Sequence, residues 1–371
     1  MKKKYYLFKA TALLLFTCNF ANSAVAYTKE KLTYYINQSG FQSVPTTDGD
    51  HVVATGWYKV NVTHYQASDT SSRGAESIFF VHGFGDTSAL FEPTAIALIE
   101  SQKARDVYAI DLPGHGASTW PALLIYENID VNEYVNALAQ VLTTMIDVEK
   151  RKISIISGHS IGGLVVQRLQ NSLVNNNPKS SLKLSYGIDK TVLIACDLPA
   201  EVPFWSGQMY AQFLIATPPQ GGGFLEDNPA GNPMIRKFIF TPPQDYVNLK
   251  FSNTSFQLVP SAPSASDVFN LGLNSREPYF AAANISGIDP ALPPTPMTSA
   301  SRLSVGKGIW AAPAKLTVLR PSEDTFFTQS DMDSLAAHLT GDAMAKAKTI
   351  VDPEAVHGIP FSKPQLLLPW F

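Results

Sequence analysis

Residues 153–163 read Ile153-Ser154-Ile155-Ile156-Ser157-Gly158-His159-Ser160-Ile161-Gly162-Gly163. Ile153–Ile156 is predicted to be a short buried strand, and Leu164, Val165, Leu169 and Leu173 recur at helical spacing after it. Between them lies Gly-x-Ser-x-Gly. A hydroxyl placed there projects from a sharp, strained strand-to-helix turn, with Gly158 and Gly162 letting backbone and helix pack close. The helix directs its free N–H groups toward charge that develops at the serine, and the backbone N–H of Ile161 is the nearest donor. Ser160 is therefore the candidate nucleophile.

The same rhythm extends on both sides. Ser77–Val81 and Val107–Ile110 are short apolar strands, and Thr87–Ser101 has helical spacing between them. Asp130-Val131-Asn132-Glu133 resembles a capped helix start, followed by Tyr134, Leu138, Val141, Leu142 and Met145. Strands are also expected at Val192–Ala195, Lys315–Leu319 and Thr349–Val351. A helix is expected over Asp331–Ala347 and a helical turn from Pro364 to Leu368. Val60 and Val62 alternate with Lys59, Asn61 and Thr63, as on a half-buried strand. Buried strands alternating with amphipathic helices imply an α/β fold, a mostly parallel central sheet with helices on both faces.

Residues 198–301 break this rhythm. Fifteen of the chain's 26 prolines lie between Pro199 and Pro296, beside Gly221-Gly222-Gly223. The segment is expected to be an inserted lid or cap over the site, its aromatic content arguing against disorder. The organisation is then a first part of the core over 27–197, the lid over 198–301 and a second part over 302–371.

The first 26 residues resemble a signal peptide. Four lysines precede or flank an uncharged run from Ala10 to Phe20, too short for a comfortable membrane span, and Ala24-Val25-Ala26 offers a cleavage site. An uncleaved anchor and a lipoprotein built on Cys18 are the alternatives, although Phe16 and Thr17 are poor lipobox residues. Cleavage takes the formal charge from −3 to −7, which disfavours nucleic acid and anionic membranes as partners. An exported protein, periplasmic or extracellular, with no stable membrane span after cleavage is expected. Cys196 is then the only cysteine, a small buried hydrophobe.

Nucleophilic chemistry needs a base, an orienting acid and an oxyanion site. Ile78-Phe79-Phe80-Val81-His82-Gly83-Phe84-Gly85 is a strand ending in His-Gly, and the loop after it can give a second backbone donor, most simply Phe84, beside the close-packed Gly83. The His82 side chain is expected to hold loop backbone together. Of seven histidines, His51 and His64 lie in the N-terminal β region, His115 in a loop, and His338 in a helix; His159 should point away from the site. His357 follows the last strand, in a loop that can reach back to Ser160, and is the candidate base. Asp324 and Glu323 lie on the loop after Lys315–Leu319, and Asp197 on the loop after the preceding strand.

The set Val81-His82-Gly83-Phe84, Asp111-Leu112-Pro113-Gly114-His115-Gly116, Gly158-His159-Ser160-Ile161-Gly162-Gly163 and Val356-His357-Gly358 resembles the α/β-hydrolase superfamily, its serine esterase and lipase-like members in particular. The resemblance covers about residues 50–196 and 310–371. It implies the chain order Ser160, Asp324, His357, with Phe326 and Phe327 at family-like spacing after Asp324; Glu323 and Asp197 remain alternative acids. Arg320 and Pro321 depart from the family, where many members have glycine and an acid.

The implied reaction is acyl transfer to water on a small-molecule carboxyl ester with an apolar acyl part, without metal or cofactor. An amidase or peptidase, an acyltransferase and a catalytically inactive binding module are the rival readings. Serine at the elbow disfavours the dehalogenase and epoxide-hydrolase branches, which use a carboxylate there.

Overall fold

The computed structural model describes residues 26–37, 42–45, 51–54, 57–68, 75–83, 86–119, 132–177, 180–196, 315–324, 327, 329, 332–333 and 345–371. The expected lid at 198–301, the signal peptide up to residue 25, Phe84, Asp197 and His338 lie outside them.

Ten strands are described: β1 (Tyr27–Asn37), β2 (Gln42–Pro45), β3 (His51–Ala54), β4 (Trp57–Ala67), β5 (Glu76–Val81), β6 (Ala104–Asp111), β7 (Ile155–His159), β8 (Lys190–Ile194), β9 (Lys315–Pro321) and β10 (Ala345–Ile350). Eight form one sheet in the order β1-β4-β6-β5-β7-β8-β9-β10, and β2 and β3 form a separate hairpin. From β6 to β10 the neighbours are parallel, whereas β1 and β4 run antiparallel at one edge. The chain reverses strand order around β5, which leaves the carboxyl ends of β5 and β7 at a switch point where α/β sheets hold their sites.

Helices cover both faces. In β5, Phe79 and Val81 face α2 (Asn132–Thr143), α3 (Ile161–Asn176) and α4 (Leu182–Tyr186), through Leu138, Leu142, Val165, Leu169 and Leu182. Ile78 and Phe80 face the opposite way, toward α1 (Glu92–Glu100) and α5 (Ile359–Ser362), meeting Leu90, Phe91, Leu98, Ile359 and Phe361. This two-residue alternation with apolar groups on both sides is why the strand is continuously hydrophobic. Pro93 opens α1, where the missing N–H has no intrahelical acceptor to lose, and Gly187 at φ +73° closes α4.

Several expected boundaries shift. β7 starts at Ile155 and continues through Ser157, Gly158 and His159, because the strand must carry the serine to the sheet end. Ala345–Ala347, expected to finish a helix, belong to β10 and pair with Leu316, Thr317 and Val318 of β9. The terminal turn is two short 3-10 segments, Pro364–Leu366 and Leu368–Trp370, so Pro369 lies inside the second. β4 is not half-exposed. Asn61 and Thr63 are buried, Asn61 bonded to Ala117 O, Ser118 Oγ and Thr33 Oγ1, and Thr63 Oγ1 to Ser88 Oγ at 3.0 Å. His64 is buried between Glu30 and Asp106, 2.9 Å from each.

Candidate functional site

Ser160 sits between β7 and α3 with φ +51° and ψ −127°. A side-chain-bearing residue in this region stores about 1–3 kcal/mol of strain, which the surroundings must offset. Ser160 N–H donates to Ile194 O at 3.0 Å, and Gly163 N–H donates to Ser160 O at 2.9 Å. A Cβ on Gly162 would lie 2.2 Å from Val81 O, and one on Gly158 would lie 2.5 Å from the Gly163 Cα. Both contacts are backbone, so neither position admits a larger residue without moving a strand or the helix. Gly83 takes its place by the same criterion, since a Cβ there would lie 2.9 Å from the Ser160 Cβ. Ile161 opens α3, so helix geometry leaves its N–H without an intrahelical acceptor.

Two loops converge behind this turn. Leu112 N–H donates to His82 Nε2 at 3.0 Å, so the His82 proton lies on Nδ1, which donates to Gly83 O at 2.7 Å. His82 thus ties the loop after β5 to the loop after β6, the backbone role expected of it. The second loop is built on Asp111, whose carboxylate accepts from Ser88 N–H at 2.7 Å and Ala117 N–H at 3.1 Å. Burial first, then the neighbouring His82, pushes the His115 imidazole down to about 3, so it stays neutral.

On the far side, His357 Nδ1 lies 2.9 Å from Asp324 Oδ2 and 3.1 Å from Oδ1. Both residues are buried. A carboxylate accepts, so Nδ1 carries the proton and Nε2 is left as the basic nitrogen. Phe327 N–H donates to Asp324 Oδ1 at 3.0 Å and fixes the carboxylate plane. Glu323, the neighbouring alternative, is exposed, and its carboxylate accepts from Ser322 Oγ at 3.1 Å.

The pair reaches Ser160 through the residue before it. His159 Nε2 donates to the His357 carbonyl at 2.8 Å, the two rings are 4.8 Å apart, and His159 Nδ1 lies 3.6 Å from Asp86 Oδ2. His159 was expected only to point elsewhere than the nucleophile; its ring is fully buried and holds the backbone of His357, a role the sequence did not suggest. Arg320 was also missed as a contributor. Its guanidinium is buried and donates to the carbonyls of Phe327 at 2.8 Å, Ser322 at 3.0 Å and Asp324 at 3.4 Å. A basic residue inside an apolar strand was the signal for it. Cys196 is buried against Gly163, whose Cβ would lie 2.4 Å from Sγ.

The model of the family described as "Alpha/beta hydrolase family" matches residues 78–367. Among solved structures, the haloalkane dehalogenase DbeA from Bradyrhizobium elkani is similar with a TM-score of 0.55 at 12% identity, over 92% of this chain and 97% of that one. A thermophilic esterase from Thermogutta terrifontis is similar at 0.52 and 13%, over 91% and 96%. A bromoperoxidase from Bacillus anthracis is similar at 0.52 and 12%, over 85% and 94%. At these identities the likeness is one of fold. No curated protein sequence matches the chain. The family model spans most of the length, and it runs through the β5 loop, the Ser160 turn and the His357 loop alike: this chain belongs to the alpha/beta hydrolase family.

Proposed function

We propose that this hydrolase is an exported serine esterase that cleaves carboxyl esters through Ser160, His357 and Asp324. The observation that carries the reading is the buried Asp324–His357 contact at 2.9 Å, held by His159 beside the strained Ser160 turn. Ser160 Oγ attacks the ester carbonyl carbon while His357 Nε2 takes its proton. The oxyanion is met by the N–H of Ile161 and, from the loop after β5, of Phe84. Asp324 keeps the imidazole in the tautomer that can accept a proton and stabilises the cation that forms. The intermediate collapses as His357 protonates the leaving alcohol. Water then attacks the acyl-enzyme with the same residue as base, releasing the acid and restoring Ser160. Esters are favoured over amides because the alcohol is the better leaving group, and the aromatic-rich 198–301 segment suits an apolar acyl chain.

A fluorophosphonate probe tests the nucleophile: it labels the mature protein and fails to label Ser160→Ala. Labelling that survives in the variant overturns the assignment. A panel of esters of rising chain length beside aminoacyl amides tests the substrate class, and faster amide turnover overturns the ester reading. Export is supported by the sequence alone: the lysines within the first nine residues, the uncharged run from Ala10 to Phe20 and the cleavage site read at Ala24-Val25-Ala26. N-terminal sequencing of the exported protein is expected to begin at Tyr27.

A further inference from the structure

The carboxyl ends of β5, β7 and β9 carry the candidate site, and the amino ends of the same strands open onto a separate cavity of about 520 Å³. Its lining includes Lys190, Lys315, Lys346, Glu76, Trp370 and Phe371. The volume is that of a pocket for a small organic molecule. Ile155 of β7 lines it, five positions before Ser160 and about 16 Å of strand away.

The charges in it are placed at a cost. Lys190, half-buried, and Lys315, exposed, are register partners on the adjacent parallel strands β8 and β9, and like charges so placed repel. Lys346 adds a third ammonium from β10. Burial holds Lys190 below the ordinary lysine range; Glu76 opposes this, and Lys315, Lys103 and Lys346 add to it. Two acids, Glu76 and Asp189, share the lining, so three ammonium groups face two carboxylates. Glu76 accepts from Ser154 Oγ, and Asp189 pairs with Lys183 at 2.7 Å. Among the described residues, Lys103, Lys315 and Lys346 make no ion pair. The other wall is apolar and aromatic, and the Lys190 ammonium donates to the Trp370 carbonyl, which ties the two walls together.

We propose that this cavity binds a small organic anion, a carboxylate or phosphate head on an aromatic or aliphatic body. The head lies among Lys190, Lys315 and Lys346, where it relieves their mutual repulsion, and the body lies against Trp370 and Phe371. The net negative charge of the chain is screened beyond a Debye length of about 10 Å at 0.1 M salt.

The test is thermal unfolding and calorimetric titration of the full chain with phenyl phosphate, at ionic strength held constant with chloride. A saturable rise in Tm is expected, with inorganic phosphate binding about tenfold more weakly because it lacks the apolar body. The double variant Lys190→Gln/Lys315→Gln loses the response, yet in low salt it unfolds at a higher temperature than the wild type, since the repulsion is gone. Four results overturn the proposal: no saturable response in the wild type, an equal response in the double variant, equal affinity for inorganic phosphate, or competitive inhibition of ester turnover by phenyl phosphate, which would place the ligand at the Ser160 end.

Discussion

Replacing Asp324 with asparagine removes one charge and almost no volume, so it isolates what the carboxylate does. The surroundings dictate how the amide settles. Phe327 N–H points at the Oδ1 position from 3.0 Å and demands an acceptor there. The amide oxygen therefore takes that place, and the NH₂ group takes the Oδ2 position, 2.9 Å from His357 Nδ1. A donor facing Nδ1 moves the imidazole proton to Nε2, the atom that must accept the Ser160 proton in the proposed mechanism. Loss of the correct tautomer in a serine triad lowers kcat by about 10⁴, equivalent to about 5.5 kcal/mol of transition-state stabilisation. The assay is initial-rate turnover of a short-chain p-nitrophenyl ester by Asp324→Asn. Urea unfolding run in parallel shows whether the fold is intact, and KM is expected to stay within a few-fold of the wild type. Turnover within tenfold of the wild type in a folded variant refutes the reasoning. Glu323→Gln and Asp197→Asn then identify the acid.

Arg320→Met deletes the guanidinium bonds to the carbonyls of Phe327, Ser322 and Asp324. Stability is expected to fall by about 3 kcal/mol in urea unfolding, since charged hydrogen bonds contribute about 1.5–3 kcal/mol each and the buried carbonyls lose their partner. Gly162→Ala drives a methyl to 2.2 Å from Val81 O, and overpacking against backbone is expected to cost about 3 kcal/mol, read as a lowered urea midpoint. His115 governs part of the acid sensitivity. Its folded value near 3 lies below the ordinary 6.5, so between these limits the unfolded chain binds the extra proton. Its contribution is fully present above about pH 6.5 and is lost progressively as pH falls toward 3. Between pH 7 and pH 5 the loss is about 2 kcal/mol, and His115→Asn is expected to flatten the stability profile over that interval.

The parallel sheet was legible because its strands are buried on both faces: Ile78–Val81 and Val192–Ile194 are apolar at every position. β1 was not, because Thr28–Lys31 faces solvent and shows no alternation; its place comes from pairing with β4. Asn61 and Thr63 read as solvent-facing, since a polar residue looks alike in sequence whether water or Ser118 satisfies it. The Ser160 turn was legible because its chemistry is local to one strand-to-helix junction. Asp324 needed a resemblance to rank it above Glu323, one position away; the fold separates them by burying one and exposing the other. His159 and Arg320 act through carbonyls brought near by folding, the His159 partner lying 198 residues downstream, and no local pattern records that.

The distance along the chain between His159 and His357 bears on the order in which the molecule is made. β4 to β8 all lie before residue 195 and can pair among themselves. The Ser160 turn is therefore complete long before the His357 loop is synthesised. Only when β9 and β10 have added to the sheet edge, and Ile359 and Phe361 have docked against α1, is His357 brought over it. Closing so long a loop is entropically costly and belongs late in folding. On the proposed mechanism the chain acquires hydrolytic competence at the end of folding, and partly folded forms with a finished serine turn remain chemically silent.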